Sequence, residues 1–170
     1  MRKITQLALS ILIVVILAFN ASAYENEPKV FRGIKWGTAI EDIKDMELEQ
    51  DGGNMKFYIR KDDKKKIGDA VVDQITYGFY NGKFFWVFLR FKSISNFVHL
   101  KDTFFQQYGP GNKRNRFMEN YYWGVNDDVY INFKYNEASE RGQILYLYNP
   151  ISKEMQSTEA QKAKEAKDDL

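Results

Sequence analysis

Asn81-Gly82 stands between two long runs rich in aromatic and aliphatic residues, Ala70 to Tyr80 and Lys83 to Lys92. Asn-Gly in that setting is the strongest short-range hairpin signal, because a type I′ turn needs positive φ at both central residues. The middle of the chain is therefore expected to be an antiparallel pair. The turn also sets an expected register, with Phe79 facing Phe84, Tyr77 facing Trp86 and Ile75 facing Phe88. Gly78 then falls opposite Phe85, whose ring covers the bare glycine backbone.

Other elements are read outward from this hairpin. Thr38 with Glu41 three residues on makes a capping box. Ile40, Ile43 and Met46 continue it as one face of a helix of about two turns. Asp51 to Asn54 breaks the chain, Met55 to Arg60 alternates as a strand, and Lys61 to Lys66 is a charged loop. Phe97, Leu100, Phe104 and Tyr108 form an apolar stripe at helical spacing over Ser95 to Tyr108. Gly109-Pro110 stops that helix. Tyr121–Val125, Val129–Tyr135 and Gln143–Tyr148 read as three further strands. The order is helix then three strands, twice, over 36–92 and 95–148. It predicts an α+β fold: an antiparallel sheet with helices on one face, laid out as a tandem repeat.

The ends are of different material. Arg2 and Lys3, the apolar run Leu7 to Phe19, and Ala21-Ser22-Ala23 follow the order of a secretory signal cleaved after residue 23. The run is shorter than the roughly 20 residues that span a bilayer, so no transmembrane segment is expected after cleavage. Residues 24–150 read as one domain, and 151–170, rich in Lys, Glu, Gln and Ala, as a polar tail, frayed or disordered and outside the core. With the leader removed, 23 Lys and Arg balance 23 Asp and Glu. A neutral body has no global pull toward nucleic acid. The chain has no cysteine, so an exported domain of this kind must hold by packing alone. Periplasmic or extracellular placement is the expectation.

Gly37-Thr38 through Met46, followed by Tyr108-Gly109-Pro110, resembles the SmpA/OmlA type of exported outer-membrane assembly lipoprotein. The layout is also similar to the tandem unit of the β-lactamase inhibitor protein fold. That resemblance implies a capped helix packed on an antiparallel sheet and a second helix ending near Gly-Pro. The chain departs from the lipoproteins in having no cysteine to carry a lipid.

Catalytic chemistry finds little purchase. His99 is the single histidine, turned away from the apolar stripe, and Asp102 beside it has no serine or cysteine nucleophile in a recognisable motif. Asp62-Asp63 and Asp127-Asp128 are paired carboxylates, but each lies in an expected turn, where Asp bonds its own backbone. Neither extends into a calcium loop. No metal and no cofactor is expected. Gly109-Pro110-Gly111 follows a helix and presents carbonyls, which suits an anion badly.

Aromatic residues are the one excess: 13 Phe, 11 Tyr and 3 Trp, of which Phe19 alone lies in the leader. Core packing and strand propensity account for one face of a sheet. Rings on the other face make a surface for protein or sugar. Tyr77, Trp86, Trp123 and Tyr130 are the candidate binding rings. Lys113, Arg114 and Arg116 are a candidate contact for an anionic partner such as lipid headgroups or a glycan. Trp36 reads as a lid on the core. The functional expectation is a non-catalytic binding module for a protein or a cell-envelope component. Two alternatives stand beside it. A hydrolase of envelope polymers would need two carboxylates across a cleft. A small-ligand carrier would need an enclosed pocket.

Overall fold

Asn81 and Gly82 adopt φ of 48° and 76°, the pair of positive values that the type I′ turn demands. A computed structural model describes Tyr24 and residues 26–168; the leader read in residues 1–23 lies outside them. Two short strands open the described chain, β1 (Val30–Phe31) and β2 (Ile34–Lys35). They are followed by β3 (Met46–Gly52), β4 (Met55–Arg60), β5 (Lys66–Ile67), β6 (Ala70–Val71), β7 (Gln74–Tyr80) and β8 (Lys83–Lys92). Then come helix α1 (Ile94–Tyr108), β9 (Glu119–Trp123), β10 (Val129–Asn136), β11 (Arg141–Tyr148) and helix α2 (Asn149–Asp168). The main sheet has seven strands in the order β3-β4-β7-β8-β11-β10-β9, every neighbouring pair antiparallel. The chain is an α+β protein.

The hairpin register departs from expectation after the first two pairs beyond the turn. Tyr80 pairs with Lys83 and Phe79 with Phe84, but Gly78 then pairs with Trp86. Phe85 is the extra residue of a β-bulge, which places two successive side chains on one face. Tyr77 consequently faces Val87, and Ile75 faces Leu89. Trp86, rather than Phe85, covers Gly78: a Cβ on that glycine would lie 2.8 Å from Trp86 Cε3.

Helix α1 seals one face of the sheet. Ser93 caps it by accepting from the Asn96 amide at 3.3 Å, and Gly109 ends it at φ 75°. Its stripe of Phe97, Leu100, Phe104 and Tyr108 is buried as its spacing predicts. Beneath lie Tyr77, Val87, Leu89, Ile131, Phe133 and Ile144. Trp36, the expected lid, stacks on Phe84 at 4.8 Å and donates to the Pro28 carbonyl.

The capped first helix is not formed. Residues 40–42 make a single 3₁₀ turn, preceded by Ala39 in extended conformation with no side-chain cap. The reason is that this segment is already paired with the hairpin. Gly37 N donates to the Phe84 carbonyl, Phe84 N to the Thr38 carbonyl, and Ile40 N to the Gly82 carbonyl. Backbone groups committed to a strand cannot also begin a helix. Met46 opens β3 instead, so the first half carries four strands of the main sheet and no α-helix; the two halves do not match.

Nor do both helices lie on one face. The Asn149 amide donates to the Asp128 carbonyl and its side-chain amide to that of Asp127, which turns α2 onto the opposite side. There Ile151 is 6% exposed and packs with Tyr80 and Phe85, flanked by Met55, Leu147 and Met155. The C-terminal segment is thus helical, and its first turn belongs to the core; beyond Thr158 the described side chains are exposed.

Candidate ligand-binding face

The face of the sheet turned away from α1 is covered by α2 at one end only. Cross-strand register lays its uncovered side chains out in rows. Phe57, Gly78, Trp86, Leu147 and Tyr130 follow one another across five strands. The next row holds Thr76, Phe88, Leu145, Asn132 and Tyr122, and the third Gln74, Arg90, Gln143, Lys134 and Asn120. The face therefore grades from apolar beside α2 to polar and basic at the far end. Phe57, Trp86, Phe88, Leu145, Leu147, Tyr122 and Tyr130 are all half-buried.

A ladder of three groups runs down β8. Trp86 and Phe88 stack at 5.5 Å with 15° between their planes, and the Arg90 guanidinium lies 5.3 Å from the centre of the Phe88 ring. Residues two apart on a strand share a face, so one strand supplies all three. Phe57 meets Trp86 edge-on at 5.3 Å. Two shallow, open grooves flank the ladder, of about 570 Å³ and 580 Å³, and they share Gln74 and Arg90. Glu49 is engaged at the rim, accepting from Gln74 at 3.1 Å and Thr76 at 3.3 Å.

At the opposite margin Tyr122 and Tyr130 stack at 6.2 Å. Burial, then the neighbouring Tyr122, pushes the Tyr130 hydroxyl above its ordinary pKa, against the pull of Arg114. Asn120 donates to the Tyr122 hydroxyl at 2.5 Å, and Asn132 donates to Asn120 at 2.6 Å.

The structure separates the expected site residues. Trp86 and Tyr130 lie on this open face. Tyr77 and Trp123 do not: both are fully buried on the α1 side. Tyr77 is there because it alternates with Ile75 and Phe79 on β7, while the bulge in β8 moves its expected partner Trp86 to the other face; its hydroxyl donates to Asp63 at 2.6 Å. Burial first, and Asp63 second, drive that hydroxyl's pKa well up. Trp123 pairs with Ile131 and donates to the Gly109 carbonyl at 3.0 Å; it is a core residue that holds the end of α1.

The basic loop is divided as well. Lys113 turns toward the α1 side, where it meets Glu119 at 2.9 Å and the Tyr121 ring at 4.7 Å. Arg114 joins the open face, 5.3 Å from the Tyr122 ring. Arg116 lies over Phe117, which is 81% exposed.

Phe57, Phe88, Arg90, Leu145 and Leu147 belong to the face and are not singled out by sequence reasoning. A bulge has no strong composition mark, so plain alternation from Phe84 sends Phe88 and Arg90 to the wrong side. Leu145 and Leu147 alternate with Ile144 and Tyr146, and a strand apolar on both faces shows no period of two.

The least exposed ion-paired carboxylates are all engaged. Asp63 binds Arg32 and Tyr77, Glu119 binds Lys101 and Lys113, and Glu27 binds Lys29 and the Val129 amide. His99 and Asp102 are exposed on α1. Among the described residues no group of three or more His, Asp or Glu is placed to hold a metal ion, and no helix is long and apolar enough to cross a membrane. Fold and face together define an α+β protein with one side of its sheet sealed and the other half open. Comparison with protein-family models, with curated proteins and with solved structures finds no match for this chain.

Proposed function

We propose that this chain is an exported, non-catalytic binding module that holds a protein or cell-envelope component against the open face of its sheet. The observation that carries the reading is the band of half-buried rings and leucines, Phe57, Trp86, Phe88, Leu145, Leu147 and Tyr130, left uncovered beside α2. Covering apolar surface of this kind is worth about 25 cal/mol per Å², and contiguous exposed patches mark interaction sites. Trp, Tyr and Arg, all present here, dominate binding energy in protein interfaces. The grooves are shallow and open, which suits an extended partner better than an enclosed small molecule. Export rests on the leader pattern of residues 1–23.

The test is capture from an envelope extract by the protein lacking residues 1–23, compared with Trp86→Ala and Tyr130→Ala variants. The expected result is a partner retained by the wild type and lost from both variants, with unchanged far-ultraviolet circular dichroism. Equal capture by all three proteins would overturn the reading.

A further inference from the structure

We infer that the cleft at the end of α1, between the β1–β2 turn and the segment 60–67, binds an organic phosphate, its phosphate on Arg60, Lys64 and Lys66 and its apolar substituent on Val30, Phe31 and Ile67. The cleft lies on the α1 side of the sheet, so the inference stands apart from the open face and does not rest on the reading above.

The first argument is charge. The cleft has a volume of about 550 Å³ and is lined by Arg32, Arg60, Lys64 and Lys66 against one carboxylate, Asp63. Asp63 is engaged on both oxygens, one by Arg32 and the other by the Tyr77 hydroxyl at 2.6 Å. The groove beside the cleft shares Arg32 and Arg60, and over the two together six cations meet Asp42, Asp45 and Asp63. Lys61, Asp62, Lys65 and Asp69 stand outside both linings, two of each sign. Glu27 and Lys29, just before β1, pair with each other, and residues 103–108 of α1 bring no charge. Residues 24–170 balance in Lys and Arg against Asp and Glu, so this end holds a local positive excess and is complementary to an anion.

The second argument is the state of the lining groups. Arg60 is half-buried, yet it takes no part in the ion pairs around it, which join Arg32 to Asp63, Lys61 to Glu47 and Lys66 to Asp69 at 3.9 Å. A guanidinium partly withdrawn from water and left without a counter-ion is a group that a phosphate satisfies. Tyr108 and Tyr146, 9% and 5% exposed, also line the cleft. Their hydroxyls bond to each other, with Tyr146 donating. One proton serves that bond, and the Tyr108 proton is left over as a donor for a ligand oxygen.

The third argument is the turn that forms one wall. Arg32 and Gly33 have φ of 48° and 81° in a two-residue hairpin between Phe31 and Ile34, where Asn-Gly is the favoured pair. An arginine in left-handed backbone is retained for its side chain rather than for the turn. Its guanidinium ties the turn to Asp63 and to the Lys66 carbonyl at 3.3 Å, which fixes the two walls of the cleft against each other. Exposed Val30 and half-buried Ile67 set apolar surface beside the cations. Arg60, Lys64 and Lys66 remain for the ligand, and a phosphate monoester, which carries nearly two charges, answers them better than a carboxylate.

The experiment is titration calorimetry of the protein lacking residues 1–23 with octyl phosphate below its micelle concentration, beside octanoate, inorganic phosphate and octylammonium. Octyl phosphate is expected to bind, and to weaken as salt rises. Octanoate and inorganic phosphate are expected to bind more weakly, and octylammonium not at all. Arg60→Gln is expected to lose about tenfold in affinity for octyl phosphate. Lys64→Gln, at an exposed position, loses a smaller share, and Lys153→Gln, exposed on α2, loses none. Circular dichroism checks the fold of each variant, and Lys64→Gln carries the test if Arg60→Gln does not fold. Sedimentation with phosphatidylglycerol vesicles separates the sources of the phosphate. Binding to vesicles as well as to octyl phosphate, both weakened by the cleft variants, assigns a lipid headgroup, and octyl phosphate alone assigns a soluble ester. No binding of octyl phosphate, equal binding of octanoate or octylammonium, undiminished affinity in the cleft variants, or an equal loss in Lys153→Gln overturns the inference.

Discussion

The indole of Trp86 lies across the backbone of Gly78, and a Cβ on that glycine would approach Trp86 Cε3 to 2.8 Å and its Cβ to 3.0 Å. Gly78 is not among the residues with positive φ, so glycine is needed here for room rather than for an unusual backbone. The bare pleat lets the ring lie down on the sheet, and the ring's position sets where Phe88 and Arg90 follow.

Gly78→Ala is therefore expected to lift the indole and to destabilise the fold by about 1–3 kcal/mol, the usual cost of overpacking. Urea denaturation reads the loss, and a shift in tryptophan emission reads the displaced ring. An unchanged midpoint and spectrum would show that the close approach does not constrain Trp86.

Tyr80 is 2% exposed, and its hydroxyl has no hydrogen-bond partner among the described residues. It lies against Phe85 and the first turn of α2. A buried hydroxyl without a partner costs free energy, so Tyr80→Phe is expected to raise stability by about 1 kcal/mol. A lower denaturation midpoint in the variant would mean that the hydroxyl has a partner after all.

The attachment of α2 rests on few side chains. Ile151 and Ser152 are its buried residues, with Asn149, Met155 and Thr158 half-buried. Ile151→Ala is expected to cost about 2–3 kcal/mol, whereas removing residues 159–170 leaves the midpoint within about 0.5 kcal/mol of the full chain. Thermal melts of the two variants check the contrast.

Glu119 supplies one part of the pH dependence, beside Glu27 and Asp51. Partial burial raises its pKa, but the Tyr121 hydroxyl and the Lys113 and Lys101 ammonium groups outweigh that, so its carboxyl is held below the ordinary 4.5. A carboxyl depressed in the folded state stabilises above its unfolded pKa, and that share is lost as pH falls through the folded value. Glu119→Gln is accordingly expected to be less stable than the wild type by about 1–2 kcal/mol at pH 7. The gap should stay constant down to pH 5 and close below 4.5. Denaturation midpoints taken from pH 7 to pH 3 follow it; a gap that does not narrow would discount the ion-pair cluster.

Local signals that coincide with tertiary contacts were readable in the residues. Asn81-Gly82, the stripe from Phe97 to Tyr108 and the alternation of Val129 to Tyr135 each name an element on their own. Three features were not readable, each for a distinct reason. The capping box at Thr38 and Glu41 is outcompeted by pairing with the hairpin, a contact more than 40 residues away in sequence. Strand β3 is an edge strand, half-buried at Met46 and exposed beyond it, so it carries no apolar period; its charges at Glu47, Glu49 and Asp51 are what an edge uses against unwanted pairing. The bulge at Phe85 leaves composition untouched and changes phase only. Of the candidate site, Trp86, Tyr130 and Arg114 were legible, while Tyr77 and Trp123 were misplaced because an aromatic in a strand looks the same on either face.

One inserted peptide unit thus governs which half of β8 water touches. Strict alternation from Phe84 would bury Trp86, Phe88 and Arg90 under α1 and turn Val87, Leu89 and Phe91 outward, sinking a guanidinium in the core and stranding three greasy groups in solvent. Phe85 works as a half-wave plate for the strand: it inverts everything downstream and leaves everything upstream alone. Deleting that single residue would set Trp86 directly after Phe84 and still opposite Gly78, so every side chain beyond it would keep its present face with no bulge at all.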